Sequence, residues 1–81
     1  MFQYKNKHKD LYVNAQQINI NNYIEISNNL PIGYSIQVCG GHFDLYKNDK
    51  FERYIGVNDY IVIHNNVVTV MPDYVFNDLF I

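Results

Sequence analysis

Apolar and polar residues alternate along most of this chain, and alternation with a period of two predicts β-strands. Residues 60–64 and 67–71 are two runs of β-branched and aromatic residues, and Asn65-Asn66 lies between them. Asparagine tolerates positive φ better than other residues with a side chain, so a tight β-hairpin is predicted here. The same pattern predicts strands at residues 11–18, 34–39 and 42–46, which makes five. Residues 2–4 are compatible with a short strand or an arm, and residues 51–55 with a brief further strand.

The period changes to three and four between residues 20 and 29, which predicts a short helix with one buried stripe. This stripe would consist of Ile20, Tyr23, Ile24, Ser27 and Leu30. Asn19 or Asn21 is expected to cap the helix, and Asn28-Asn29 to end it. Pro72 is expected to begin a short C-terminal helical turn over about residues 72–79. In that turn the residues at helical spacing are Tyr74, Val75, Asp78 and Leu79.

These elements predict one small α+β domain, residues 1–81, with about five strands and one good helix. The expected architecture is a curved antiparallel sheet or a barrel-like roll. No run of about 18 apolar residues is present, so no transmembrane span is predicted. The N-terminus lacks the apolar stretch of a secretory signal. Cys39 is the single cysteine and cannot form an internal disulfide, which favours a reducing compartment.

Charge is distributed unevenly along the chain. Residues 1–10, a basic arm or edge segment, carry a net charge of +2, the remainder carries −4, and the whole chain carries −2. An acidic body argues against direct nucleic-acid binding, which depends on several positive groups along one surface. Lys5, Lys7 and Lys9 alternate with other residues, and in an extended segment their ammonium groups would share one side. They would then contact phosphate or an acidic partner, or simply form a solvated edge that discourages strand pairing.

Cys39 and His42 have the spacing C-x-x-H across Gly40-Gly41. A structural zinc site needs four ligands, and no second pair of this kind exists in the sequence, even if His64 lies nearby. A Cys–His nucleophile, with Asp44 or Asp59 orienting the histidine, would need an electropositive pocket. Because the surroundings are acidic and apolar, we expect a half-buried thiol beside a surface histidine. No catalytic residue, metal or cofactor is predicted.

Aromatic residues are the stronger interaction signal, since eight tyrosines and five phenylalanines are many for so small a core. Partly exposed tyrosine is typical of protein interfaces. The alternative is that tyrosines ring the core with their hydroxyl groups in water. The residues we expect to contact a partner are Tyr46 and Tyr54, beside a polar loop at 47–50, and Phe2 and Tyr4 in the arm.

Two segments resemble a family of small proteins of tailed bacteriophages. Residues 4–18, YKNKHKDLYVNAQQI, resemble the family's opening, Y-R/K-K/N-K/R-P-V-x-V-x-A-x-Q. Residues 59–62, DYIV, and then Pro72-Asp73, Phe76 and Phe80 resemble its closing pattern. That pattern is G-D-Y/W-I/V-I/V ahead of a hairpin, followed by x-P-D-x-F-x-x-x-Y/F. The likeness covers both ends, roughly half of the chain.

The chain departs from the family pattern at three places. Asn58 stands where glycine is usual, residues 8–10 replace the basic-proline step, and residues 47–53 resemble an insertion. The family is mostly without an assigned role and has no catalytic residues to transfer. The resemblance therefore implies a phage gene product and nothing about chemistry.

The resemblance and the aromatic surface together lead to two expected roles. The first is an accessory virion protein, a minor structural component that binds the capsid through protein–protein contacts. The alternative is an early host-takeover or anti-defence inhibitor that binds a bacterial protein, in the host cytoplasm. We expect both chain ends to be held by contacts, as in a native assembly, and this ranks the first role slightly higher. A homo-oligomer is compatible with both roles. The abundance of Asn, Ile, Tyr, Lys and Phe, which have A/T-rich codons, suggests a low-GC host.

Overall fold

The computed structural model describes the whole chain, Met1 to Ile81. Seven strands and two short helices follow in the order β1 (Phe2–Lys5), β2 (Tyr12–Gln17), α1 (Tyr23–Asn28), β3 (Tyr34–Cys39), β4 (His42–Lys47), β5 (Lys50–Ile55), β6 (Tyr60–His64), β7 (Val67–Met71) and α2 (Asp73–Leu79). The predicted α+β class is confirmed. Strands number seven rather than about five because both short segments, β1 and β5, pair along a neighbouring strand, β5 with one bulge.

The strands form two open antiparallel sheets and do not close into a barrel. One sheet has four strands in the order β1-β2-β6-β7, and the other has three in the order β3-β4-β5. Each sequential hairpin stays within one sheet. The chain passes between the sheets twice, through α1 after β2 and through the turn at residues 56–59 after β5.

Asparagine and glycine at positive φ make the hairpin turns tight. Asn65 and Asn66 have φ of 50° and 63°, the two positive values that a type I′ turn requires, so the predicted hairpin is confirmed. Asn48 and Asp49 have φ of 52° and 64°. The segment predicted as a polar loop at 47–50 is therefore a second two-residue turn. Asn58, which stands where the resembled family has glycine, has φ of 72°.

The four-stranded sheet is the middle layer of the molecule, with a core on each face. Neighbouring residues of a strand point to opposite faces, so Ile61 and Val62 enter different cores. The first core lies between this sheet, α1 and the three-stranded sheet, and consists of Ile18, Ile26, Ile36, Phe43, Leu45, Ile55, Ile61 and Val70. The second lies under α2 and consists of Val13, Ala15, Val62, Phe76 and Phe80.

Helix α1 is shorter than predicted, and the predicted stripe is confirmed only in part, since Tyr23 and Leu30 pack against the first core. It covers residues 23–28 instead of 20–29, and its fully buried residue is Ile26. Ile20 and Ile24, both expected in the buried stripe, are largely exposed. The predicted N-terminal cap is wrong, since Asn22 precedes the helix and makes no side-chain capping bond, whereas the predicted end at Asn28-Asn29 is confirmed. A tertiary hydrogen bond helps to fix the orientation of the helix. The Ser27 hydroxyl accepts it from the backbone N–H of Ile36 in β3 at 2.9 Å.

The side of helix α2 that faces the sheet matches the predicted spacing only in part, since Leu79 packs against the second core. Pro72 directly precedes the helix, which begins at Asp73. Phe76 is the buried residue of the helix, and Phe80 follows it into the same core. Tyr74, which belonged to the expected apolar side, is 73% exposed. Neither helix is long and apolar enough to cross a membrane.

The two ends of the chain hold each other. Lys5 and Ile81 exchange two backbone hydrogen bonds, of 3.0 and 2.9 Å, and the N–H of Lys7 donates to Leu79 at 2.7 Å. Asn6 and Phe80 form the bridge between these pairs. Met1 packs against the first core. The last three residues thus lie antiparallel to the end of β1, on the side away from β2.

Candidate functional site

The three-stranded sheet has one covered and one open face. Ile36, Phe43 and Leu45 point into the first core. Because side chains alternate along a strand, the residues between them point away from the four-stranded sheet. On β3 and β4 these are Ser35, Gln37, Cys39, His42, Asp44 and Tyr46. We refer to this side of the sheet as the outer face.

Four rings make a continuous aromatic cluster on the outer face, namely His42, Tyr46, Phe51 and Tyr54. Tyr46 and Phe51 are cross-strand partners with ring centroids 6.1 Å apart. Phe51 contacts Tyr54 at 4.9 Å, and the edge of His42 meets Tyr54 at 4.9 Å. Phe51 and Tyr54 remain 48% and 65% exposed. The rings therefore order one another while leaving apolar surface in contact with solvent.

A β-bulge brings Phe51 and Tyr54 to the same side. Leu45 pairs with Arg53 and Tyr46 with Phe51, so β5 has one residue, Glu52, without its own partner on β4. Residues three apart in a regular strand point to opposite faces, and one extra residue reverses that relation. The bulge thus adds Phe51 to the surface that contains Tyr54.

Next to the aromatic cluster, three possible ligand side chains converge. Cys39 and His42 are directly opposite each other in the β3–β4 hairpin, and Asp44 follows on the same side of β4. One donor atom of each lies within 4.8 Å of the others. His42 Nε2 and Asp44 Oδ1 are 3.2 Å apart. We refer to these three residues as the Cys39 cluster.

The structure separates the alternatives that the sequence left open for this chemistry. Asp44 meets His42, whereas Asp59 accepts a hydrogen bond from the backbone N–H of Gly56 at 2.8 Å. His64 lies in β6, in the other sheet. Cys39 is exposed rather than half-buried, so that expectation is wrong. The cluster lies on an open face and not in a cleft.

The cavities of the molecule lie elsewhere. Two open depressions have volumes of about 360 and 440 Å³, and both border Leu30, Pro31 and Asn66. Neither contains a residue of the Cys39 cluster or of the aromatic cluster. They lie where the end of α1 meets the β6–β7 turn, so no enclosed substrate pocket adjoins the cysteine.

The predicted contact residues of the N-terminal segment do not form one surface. Phe2 is exposed on β1, but Tyr4 packs edge-to-face on Phe76 with ring centroids 4.9 Å apart and belongs to the second core. The Lys5 ammonium lies 5.9 Å from the centre of the Tyr12 ring.

The three lysines do not lie on one strand, since only Lys5 belongs to β1. β1 ends at Lys5, and residues 7–10 bend away from it. The Lys7 ammonium donates to the backbone carbonyl of Asn77 in α2, while Lys9 is exposed. The lysines therefore do not continue along one side of an extended segment.

Tyr46 and Tyr54, in contrast, lie together in the aromatic cluster. Sequence reasoning missed Phe51 and His42 as their neighbours. The available signal was Asn48-Asp49, two residues that tolerate positive φ between two apolar runs and so predict a tight turn. Such a turn places Tyr46 opposite the start of β5.

No known protein family, characterised protein or solved structure matches this chain.

Proposed function

We propose that this protein is a non-catalytic binding module that attaches to another protein through the aromatic cluster of the outer face. The observation that carries the proposal is the exposure of Phe51 and Tyr54, 48% and 65%, in a cluster that already holds its rings in fixed contact. Ordered aromatic side chains lose little further entropy on binding, and aromatic residues dominate the energy of protein interfaces.

The shape and charge of the face favour a protein as the ligand. The outer face is an open sheet surface, whereas small molecules generally bind in concave pockets. Asp44 places a carboxylate beside the rings, and this disfavours the phosphates of a nucleic acid. In this proposal Tyr46, Tyr54 and Phe51 are the contact residues.

We further propose that the partner is a structural protein of a tailed bacteriophage, and that the capsid shell is the first candidate. This part rests on the resemblance of residues 4–18 and 59–80 to small phage proteins. In this role the chain is a minor component of the virion that contributes contacts and no reaction. The resemblance supports the origin, and the aromatic cluster supports the mode of binding.

The experiment compares phage particles carrying the normal chain with particles carrying Phe51→Ala and Tyr54→Ala together. Mass spectrometry of purified particles should find the normal chain and at least about tenfold less of the variant, since two central aromatic contacts contribute well over 1.4 kcal/mol. Tyr74→Ala, on α2, is the matched control because Tyr74 is also exposed, at 73%, but lies in another part of the molecule. A double variant incorporated as well as the normal chain would show that another surface binds.

A host-directed inhibitor is the second candidate. It is favoured by the net charge of −4 on residues 11–81, an acidic surface that could occupy a site on a host protein. In this case the chain would be missing from purified particles. Affinity purification from infected cells would instead recover one host protein, and its recovery would fall with the same double variant. Recovery of that host protein, with no chain in the particles, would replace the virion role.

A further inference from the structure

The β3–β4 hairpin presents three different donor groups from a rigid backbone. Cys39 and His42 are the last residue pair before the turn at Gly40-Gly41, and they face each other across the two strands. Asp44 lies two residues beyond His42 and so points to the same side. Hairpin register alone therefore gathers a thiol, an imidazole and a carboxylate.

Two donor atoms in this cluster lack the hydrogen-bond partners that shielded polar atoms normally have. His42 Nε2 and Asp44 Oδ1 are both shielded from solvent, and neither has a hydrogen-bond partner although they are 3.2 Å apart. The Asp44 side chain is only 13% exposed. Shielded polar atoms without a partner are rare in folded proteins, and a cation bound between these two atoms would satisfy both. Tyr54 packs its ring against His42 at 4.9 Å and limits the rotation of the imidazole.

We propose that Cys39, His42 and Asp44 together bind one Zn²⁺ ion, through the thiolate, an imidazole nitrogen and a carboxylate oxygen. This mixed donor set suits zinc, which binds sulfur, nitrogen and oxygen ligands in tetrahedral geometry. With zinc–ligand bonds of about 2.0–2.3 Å, the donor atoms must stand roughly 3.3–3.8 Å apart. They now lie within 4.8 Å of one another, so side-chain rotation suffices.

The cluster leaves the fourth tetrahedral position without a protein ligand, so water would take it in the isolated chain. Three protein ligands and one open position differ from a closed structural site, which needs four protein ligands. The absence of a second C-x-x-H pair in the sequence therefore does not exclude this site. The proposal is independent of the proposed protein-binding role, because it needs only the chain and the ion.

The test titrates the purified chain, kept reduced with a phosphine, with Co²⁺ and then with Zn²⁺. Cobalt bound to a thiolate gives a charge-transfer absorption, and tetrahedral cobalt gives intense visible bands. We expect one ion per chain, both absorptions, and their loss when Zn²⁺ displaces the cobalt. Affinity should fall as the pH is lowered, since the thiol and the imidazole must lose their protons to bind.

Three variants, Cys39→Ser, His42→Gln and Asp44→Asn, should each weaken Zn²⁺ binding at least tenfold by calorimetry, because even loss of a supporting group costs about 10–100-fold. Cys39→Ser should also abolish the charge-transfer absorption. His64→Gln is the matched control, an exposed histidine in the other sheet, and should leave the affinity unchanged. Far-ultraviolet circular dichroism of the metal-free variants checks that each one folds.

Two results would overturn the proposal. One is a normal chain that shows no thiolate-to-cobalt absorption at millimolar cobalt. The other is Zn²⁺ binding that survives Cys39→Ser and His42→Gln unchanged, or that His64→Gln weakens equally. A loss of partner binding in the Phe51 and Tyr54 variant with intact Zn²⁺ binding would separate this site from the protein-binding role.

Discussion

At the scale of single residues, Phe76 is the side chain that attaches α2 to the sheet. It is 1% exposed and stacks on Tyr60, with ring centroids 3.9 Å apart and planes 6° from parallel. Phe80 stacks beside it at 5.0 Å, and Tyr4 meets it edge-on at 4.9 Å. Each aromatic pair contributes about 0.5–1.5 kcal/mol beyond the burial of its surface. These four rings therefore belong to the second core or pack against it, and Phe43 occupies the first core.

Tyr60 gives this aromatic core a pH dependence. Burial raises the pKa of the Tyr60 hydroxyl above 10.0, and the negative charges that Tyr4 and Asp73 carry at high pH raise it further. The folded chain therefore holds the proton more tightly than the unfolded chain. Its contribution to stability is complete below the unfolded pKa of about 10 and is lost as the pH rises through the folded pKa.

Tyr60→Phe keeps the stacked ring and removes the titrating hydroxyl. We expect the free energy of unfolding of this variant to decline less steeply than that of the normal chain above about pH 10. Urea unfolding at pH values from about 8 to about 11, which span the ordinary tyrosine pKa of about 10, measures both slopes. Tyr74→Phe is the control, because Tyr74 is exposed. Parallel curves for Tyr60→Phe and the normal chain would contradict the assignment.

At the scale of elements, the hairpin turns depend on residues that accept positive φ. Asn66 has φ of 63° in the type I′ turn between β6 and β7. Asparagine is permitted there, but glycine is favoured at the second position of such a turn. A β-branched residue in this conformation costs about 1–2 kcal/mol. Glycine at position 66 should therefore stabilise this turn further.

Asn66→Gly should raise the free energy of unfolding by roughly 0.5 kcal/mol, and Asn66→Val should lower it by roughly 1–2 kcal/mol. Position 66 is exposed, so neither substitution changes the buried surface much. Denaturant midpoints at constant m-value report the difference. Equal stability of the two variants would mean that the turn adopts another conformation.

The sequence predicts this fold well where short-range chemistry decides the structure. The pattern located the five longer strands and indicated the two short ones, β1 and β5, without counting them, and Asn65-Asn66 indicated the turn between β6 and β7. The helix faces could not be predicted, because helices of six and seven residues have too few periods to define one side. The spacing predicted Ile24 and Tyr74 on the buried sides, but both are exposed. Tertiary packing buries Ile26 and Phe76 instead.

The candidate site was predictable in part. The C-x-x-H spacing placed Cys39 beside His42, and the pattern named Tyr46 and Tyr54 as surface contacts. Their assembly depends on the extra residue Glu52, and a bulge is invisible to a period-two pattern because it changes the parity of the strand. The Asn48-Asp49 turn places Phe51 opposite Tyr46, but that Tyr54 shares their face could not be predicted from the sequence.

At the scale of the whole molecule, the middle sheet is stabilised from both faces, and the C-terminal residues close the second core. Phe80 is 6% exposed, and Ile81 exchanges hydrogen bonds with Lys5. A domain of this size has a free energy of unfolding of about 4–12 kcal/mol. Loss of one core ring is therefore a large fraction of the total.

Deletion of Phe80 and Ile81 together should lower the free energy of unfolding by about 3–5 kcal/mol, the usual effect of losing a buried phenylalanine. Deletion of Ile81 alone removes the two hydrogen bonds and leaves Phe80, and should cost about 1–2 kcal/mol. Urea unfolding followed by circular dichroism compares the two shortened chains. Equal losses would show that Phe80 contributes little to the core.

The pairing of Lys5 with Ile81 also determines where a grafted peptide would go. Backbone groups of alternate residues in an antiparallel strand point to the same edge, so the N–H and C=O of Gln3 point to the edge on which Ile81 pairs with Lys5. A segment fused after Ile81 would run past Gln3 toward Met1, with a template of unpaired amides along its path. An affinity label rich in β-branched residues would be drawn onto that edge as a fifth strand. A label of glycine and serine, which pairs poorly, would stay free for capture.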